Sequence, residues 1–368
     1  MEYLLFSDLH IHKHKKSEDR LRNCIETLEW ILKTAEDRGT HLIFCGDLFH
    51  DRQKIDVLTY QMAFEIFGDY KACNISLLLG NHDMYHRSKW EVSSVKPLSS
   101  LDHVQVISEP KCQVIGGATF AFLPYTETPL EDMKRLQASK LFNIDGLKTK
   151  RKTLIAHLAV DGAILNTVHG TRAEVAIEHD GDMVAVDKDS FNGWDQVFLG
   201  HYHAAQTIAE NVEYVGSPLQ LSFGETSQKK HIIIYDGETG EREYVENDFS
   251  PRHLILNEKE ADSGKHDLAG NFVRLMVSDL SASDVLEKRS TLLEQYNVGT
   301  LDVQQTVKKE KDKTVIKDAR AILFKEEEMV EKYVDEIAQT KGLGDLDSKR
   351  LAEIGKTILE NAREECET

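Results

Sequence analysis

Aspartate, histidine and asparagine recur in this chain where short apolar runs stop. "YLLFSDLH" ends in Asp8 and His10. "HLIFCGDLFHD" offers Asp47, His50 and Asp51, and "ISLLLGNHD" offers Asn81, His82 and Asp83. "KTLIAHL" ends near His157, and "QVFLGHYH" delivers His201 and His203. Imidazole nitrogens mixed with carboxylate and amide oxygens suit divalent ions of borderline hardness. With no thiolate in the group, a structural zinc or an iron–sulfur cluster is disfavoured. Such a group fits two cations about 3.5–4 Å apart with one carboxylate bridging them. Two cations so placed make water more acidic and offset the charge of a phosphoryl group during in-line displacement. Taken singly, a DxH triplet or a Gly-Asp turn is weak. "GHYH" is stronger, because residues i and i+2 of a strand project the same way. "GNHD" is stronger again, because an Asn–His pair after a strand has little structural use. In this order and together, the five segments point to two-metal hydrolysis of a phosphate ester.

The elements that must position these residues follow a βαβαβ rhythm. "YLLF" reads as a strand. Leu21, Ile25, Leu28, Leu32 and Ala35 keep helical spacing over residues 19–38, and Gly39 is a good stop. "HLIFCGD" is the next strand, residues 56–70 look helical, and "ISLLLGNHD" is a third strand. "CQVIGGATFAFLPY" has a Gly-Gly turn between two apolar runs, a hairpin signal. The expected fold class is α/β, a two-layered β-sheet core flanked by helices. Ligands gather outside the carboxyl ends of strands in such sheets. After Pro251 the pattern changes to a small α+β unit, with strands at "FVRLMV" and "TLDVQQTV" and a helix over 281–296. The charged run "KKEKDK" reads as a linker. Two amphipathic segments, marked by Ala319, Leu323, Val330, Val334 and Ile337 and then by Leu351, Ile354, Ile358 and Leu359, suggest a C-terminal helical hairpin.

The chain has 368 residues and a net charge of −18. That charge argues against general attraction to nucleic acid, although bound divalent cations would reverse the sign at one site. The basic runs "HKHKK", with Arg20 and Arg22 behind it, and "KTKRK" read as solvated loops. Five cysteines without CxxC spacing fit free thiols in a reducing cytosol. No apolar run approaches a membrane span, and the N-terminus carries no secretory pattern. His12, His14, His86, His169 and His179 are expected in solvated loops. His41 and His231 are expected to face solvent or a backbone acceptor.

The order DxH, GDxxH, GNHD, H, GHxH resembles that of the calcineurin-like metallophosphoesterases. Within them it is similar to the nuclease subunits of SbcC–SbcD type DNA double-strand-break repair complexes, from bacteria and bacteriophages. His50 stands where monoesterases of the superfamily carry Asp. "YVGSPLQLSFGE" resembles the segment that closes the nuclease core. The resemblance implies that Asp8, His10 and His203 hold one metal, Asn81, His157 and His201 the other, and that Asp47 bridges. It makes His82 the catalytic imidazole, with His50 orienting it. The implied cofactors are two Mn²⁺ ions, with Mg²⁺ supporting more weakly.

The implied activity is a 3′–5′ exonuclease on double-stranded DNA and an endonuclease on single strands or hairpins, in DNA end processing, repair and recombination. The implied partners are DNA and an ABC-type ATPase with a coiled coil, in a heterotetramer containing a homodimer of this chain, with no membrane. The implied location is the cytoplasm of a bacterial cell or phage-infected host. The implied domains are a nuclease domain (1–250), a DNA-binding cap (251–307), a linker (308–317) and a helical hairpin that binds the coiled-coil root (318–368). No GxxxxGK[ST] occurs, so ATP dependence must come from the partner. The competing readings are a small-molecule phosphodiesterase or phosphatase of the same superfamily, and a non-catalytic DNA-end-binding scaffold.

Overall fold

The computed structural model describes residues 1–14, 17–86, 89–163, 185–278, 289–293 and 298–305. The expected linker and C-terminal hairpin lie outside these residues, as do His169 and His179. Of the helix expected over 281–296, residues 289–293 are described and are helical.

The chain opens with β1 (Glu2–Phe6), α1 (Glu18–Arg38), β2 (His41–Phe44), α2 (Val57–Asp69) and β3 (Ile75–Leu78). Helix α1 begins at Ser17, whose side chain accepts from the Arg20 amide. It ends at Gly39, where φ is 62°. That left-handed C-cap costs glycine little, so the helix stops where the sequence places its stop. Asp56 caps α2 through the amides of Leu58 and Thr59. A short hairpin, β4 (Met84–His86) and β5 (Lys89–Ser93), follows, then β6 (Val104–Ile107). The Gly-Gly turn joins β7 (Lys111–Ile115) to β8 (Ala118–Leu123), and α3 (Pro129–Gln137) leads toward β9 (Thr153–His157). Then come β10 (Gln196–Gly200), β11 (Gln206–Ala209), β12 (Val212–Tyr214), β13 (His231–Asp236) and β14 (Arg242–Glu246).

Two six-stranded sheets result, ordered β14-β13-β1-β2-β3-β6 and β11-β12-β10-β9-β8-β7. Strands β1, β2, β3 and β6 run parallel, as do β12, β10, β9 and β8. Period-two alternation sorts the side chains of β1. Tyr3 and Leu5 join Ile43, Phe120, Phe122, Ile155 and Phe198 in the core between the sheets. Leu4 and Phe6 turn the other way, to the cluster built with α1 and α2. The second sheet buries Leu154, Ala156, Val197 and Leu199 with Met133 and Leu136 of α3. The architecture is helix, sheet, sheet, helix, which buries the central strands and brings the carboxyl ends of β1, β2, β3, β9 and β10 to one edge.

A three-stranded parallel sheet, β15 (His253–Asn257), β16 (Phe272–Val277) and β17 (Thr300–Gln305), with α4 (Glu258–Asp262) has its own small core around Val273 and Leu275. Residues 1–307 form one compact unit that includes it. It is fastened to the rest by an aromatic and cationic junction. His253 stacks on Phe272 and meets Phe223 edge-on, while the Arg20 guanidinium lies 4.4 Å from the centre of the Phe272 ring. Arg20 is therefore a buried packing residue and not part of a basic surface. His14 also departs from expectation: it is half-buried, and burial pushes its pKa down to about 3. His41 meets the Ser76 hydroxyl at 2.9 Å instead of solvent or a carbonyl.

Candidate metal centre

The strand ends approach one another too closely for side chains on the residues before the ligands. Gly46 adopts φ 106°, and a Cβ there would overlap His157 Nδ1. A Cβ on Gly80 would overlap Asp47 Oδ1. The glycines of "GD" and "GN" are thus required by close approach, not by chain flexibility. The ligand positions themselves are strained. Asp8, His10, Asp47 and His201 have φ of 50°, 47°, 64° and 105°. Left-handed backbone costs such residues about 1–3 kcal/mol each and persists where surrounding bonds over-determine it.

Those bonds are visible. The segments after β1 and β2 run side by side, with Asp8 N donating to Gly46 O at 2.9 Å and His10 N to Asp47 O at 3.1 Å. Asp83, fully buried, accepts from the amides of Asp47, Leu48 and Gly80 at 2.8–2.9 Å. It ties the end of β2 to the end of β3. Asp8 accepts from the His201 amide at 3.0 Å and so ties the two sheets together. Asp47 Oδ1 accepts from the His82 amide at 2.7 Å. Sequence reasoning quoted Asp83 without giving it a role and overlooked Glu225; the signals were the final Asp of "GNHD" and the Glu of "SFGE".

The seven candidate ligands converge in two groups. His203 Nε2 faces His10 Nε2 at 3.1 Å, with Asp8 Oδ1 4.0 Å from the latter. Asn81 Oδ1 lies 3.0 Å from His157 Nε2 and 3.1 Å from His201 Nδ1. Asp47 Oδ2 stands between the groups, 3.2 Å from His157 Nε2 and 3.7 Å from His10 Nε2. Asp8–His10–His203 and Asp47–His157–His201 each bring their donor atoms within 4.8 Å of one another.

Hydrogen bonding alone accounts for the His157 contacts only if that ring carries a second proton. His157 Nδ1 is engaged with the Cys45 carbonyl at 2.8 Å, which requires the proton on Nδ1. Neutral His157 would then point the Nε2 lone pair at two oxygen acceptors. Donors about 2.0–2.2 Å from a shared cation stand roughly 3 Å apart, which is the spacing observed. The donor set therefore fits two divalent cations, one in each group, with Asp47 placed to contact both.

The electrostatics lead to the same conclusion. Burial opposes ionisation of Asp47, yet His157, His82 and His10 outweigh it and hold its carboxyl well below the usual range. Burial likewise opposes a proton on His157, but Asp47 outweighs it and raises the pKa from 6.5 to about 9. Without cations, the site holds a proton where a cation would sit. A raised histidine stabilises the fold fully below its unfolded pKa near 6.5 and loses that contribution as pH climbs to about 9. The metal-free protein is expected to lose stability on the order of 3 kcal/mol across that window. With cations bound, which need neutral His157, the slope should vanish. Urea titrations at both ends of the window, with EDTA or with Mn²⁺, measure this, and equal slopes in the two conditions would refute it.

His82 and His50 lie beside the ligand groups and, with His10, bring their own ring nitrogens within 4.8 Å of one another. His82 forms a T-shaped contact with His10 at 4.9 Å and stacks on His50 at 5.6 Å. His82 Nδ1 is held at 2.6 Å by the main-chain oxygen of His50. Residue 50 thus meets His82 through a carbonyl that any residue would supply, with ring stacking added. Among the other histidines, His12 pairs with Asp51 at 3.1 Å on the rim.

The profile of the calcineurin-like phosphoesterase family matches residues 1–205. The chain is 25% identical over 277 residues to the SbcD nuclease subunit of Escherichia coli K12, covering 67% of this chain and 68% of the relative. It is 29% identical over 268 residues to the protein of the same name from Staphylococcus saprophyticus, covering 64% and 65%. It is 22% identical over 290 residues to "Exonuclease subunit 1" of Enterobacteria phage T4, covering 76% and 78%. The match spans all five strand ends that build the two donor groups, and the chain belongs to the calcineurin-like phosphoesterase family.

Proposed function

We propose that this protein is a manganese-dependent DNA nuclease, acting on duplex ends and on single strands or hairpins together with an ABC-type ATPase. The observation that carries the hydrolytic part is the pair of donor groups spaced for two cations around Asp47. The nuclease part is supported by relatives named as nuclease and exonuclease subunits over about two thirds of the chain.

Asp8, His10 and His203 would hold one cation, Asn81, His157 and His201 the other, and Asp47 both. When bound, the cations would offset phosphoryl charge and acidify water at the site. The chain's own contribution is orientation and proton transfer. Asp83 fixes the loops that carry Asp47 and Asn81. Because His82 Nδ1–H is committed to the His50 carbonyl, Nε2 is the ring nitrogen that would take part in proton transfer, and a second proton held there, as imidazolium, would pass to the departing sugar oxygen.

The deciding assay compares linear duplex DNA, a generic bis-aryl phosphodiester and a phosphomonoester with Mn²⁺. Cleavage of DNA and the diester is expected; preference for the monoester would defeat the nuclease reading in favour of a phosphatase. Mg²⁺ is expected to support less cleavage than Mn²⁺.

The homodimer rests on the likeness to the nuclease subunits; among the apolar residues of α2 only Val57 (81%) and Leu58 (40%) are exposed, while Met62 and Ile66 pack against the core. With a net charge of −18, the chain is poorly suited to gripping DNA unaided, which favours an assembly in which the ATPase supplies part of the grip. Residues 1–307 form a compact unit without the C-terminal segment. Ending the chain after residue 317 should therefore leave manganese-dependent cleavage within about threefold while abolishing co-purification with the ATPase. A truncated chain that still brings down the ATPase would show that the tail is not the docking segment.

A further inference from the structure

Behind His203 stands a buried ion pair with no part in the ligand set. Glu225 is 2% exposed and Lys230 5%. Glu225 Oε1 lies 3.0 Å from His203 Nδ1, and Glu225 Oε2 lies 2.6 Å from Lys230 Nζ. Lys230 also donates to the main-chain oxygen of His203 at 3.0 Å and to Ser217 Oγ at 2.7 Å.

A carboxylate paired with a lysine only accepts, so the His203 proton must sit on Nδ1. The Nε2 lone pair then faces His10 and Asp8. The ring is held by Glu225 and the backbone of the same residue by Lys230. That double hold matters because His203 lies outside the strands, two residues after His201, whose φ is 105°; its main-chain oxygen also accepts from the Ser217 amide at 3.1 Å. Burying two opposite charges is a poor way to gain stability, since a well-packed apolar pair does as well or better. The arrangement therefore calls for another purpose. The opposite group has a simpler counterpart, since His157 is backed through Nδ1 by the neutral carbonyl of Cys45.

We propose that Glu225 is a positioning residue for His203, clamped by Lys230, and that the pair sets the tautomer and aim of this one ligand for the cation held with Asp8 and His10. Partners behind a ligating histidine that are removed typically cost 10–100-fold in metal affinity. This proposal rests on the two-cation reading of the site.

The test is Mn²⁺ titration of the full-length chain by calorimetry, with low-temperature electron paramagnetic resonance to detect the magnetically coupled pair. Wild type is expected to take up two ions; uptake of none would sink the two-cation reading itself, before any variant is made. Glu225→Ala is expected to bind one ion about 10–100-fold more weakly and the other within about twofold, and to lose the coupled signal at Mn²⁺ concentrations where wild type shows it. Glu225→Gln, whose amide oxygen still accepts from Nδ1, should recover part of the loss. Should Glu225→Ala fail to fold, the charge-balanced double variant Glu225→Gln/Lys230→Met decides, with about tenfold weaker binding at one ion expected. Wild-type affinity for both ions in the deciding variant overturns the proposal. So does equal weakening of both ions with a lowered melting temperature, which would mark a structural role only.

Discussion

Asp47→Ala is expected to reduce bound Mn²⁺ from two ions to one or none at concentrations that saturate wild type, and to cut phosphodiester hydrolysis by at least about 10³-fold. The reason lies in where the carboxylate stands. Oδ2 is the only carboxylate oxygen among the described residues placed near both His157 and His10. Without it, each donor group keeps its imidazoles but loses the anion that draws two positive ions together against their mutual repulsion. Oδ1 also holds the His82 amide at 2.7 Å, so the same change loosens the loop that carries the candidate proton donor. A second consequence separates the electrostatic argument from simple unfolding. Asp47 is the main cause of the raised His157 pKa, so the variant's metal-free stability should lose most of its slope between pH 6.5 and 9. Metal content by atomic absorption, rates on a bis-aryl phosphodiester and urea titrations give three independent readings. Two ions bound at wild-type affinity would show that Asp47 is not the bridge.

His82→Ala is expected to leave two ions bound and the melting temperature nearly unchanged, while kcat on DNA falls about 10²–10⁴-fold. The ring groups with His10 and His50 rather than with the two donor sets that meet at Asp47, and its Nδ1 is bonded to the His50 carbonyl. Its loss should therefore remove proton transfer rather than metal. His50→Ala is the informative companion. That change keeps the main-chain oxygen that holds His82 and removes only the stacked ring at 5.6 Å, so its effect should be smaller by at least about tenfold. If His50→Ala proves as damaging as His82→Ala, the His50 imidazole acts in its own right. Cleavage that survives His82→Ala would assign proton transfer to another group.

Much of the fold and the site was legible in the sequence because the signals were local. Alternation in "YLLF" sends Leu4 and Phe6 to one face and Tyr3 and Leu5 to the other. The helical spacing from Leu21 to Ala35 and the stop at Gly39 reproduce α1 to within a residue. The chemistry was legible for a similar reason: each candidate ligand sits within a few residues of the end of an apolar run, and parallel strands of one sheet end on one side. Local pattern could not reveal how the ligands are held. Glu225 sits in a three-residue helical turn (Phe223–Glu225) and Lys230 just before β13, stretches too short to show a period, and their relation to His203 depends on a chain reversal some twenty residues long. The burial of Arg20 was hidden too, because a basic residue behind "HKHKK" looks like surface until Phe272, some 250 residues later, packs beneath it.

Which side chains are candidates to hold a metal, and which strands end beside them, could be read from short stretches, because residue type and periodicity are local properties. The distances and the tautomers came only with packing in three dimensions, which also stands Asp47 between the two groups, where the resemblance puts a bridge. They depend on five strand ends from two sheets meeting so closely that Gly46 and Gly80 can carry no side chain, and on buried carboxylates that bond across segments far apart in the chain.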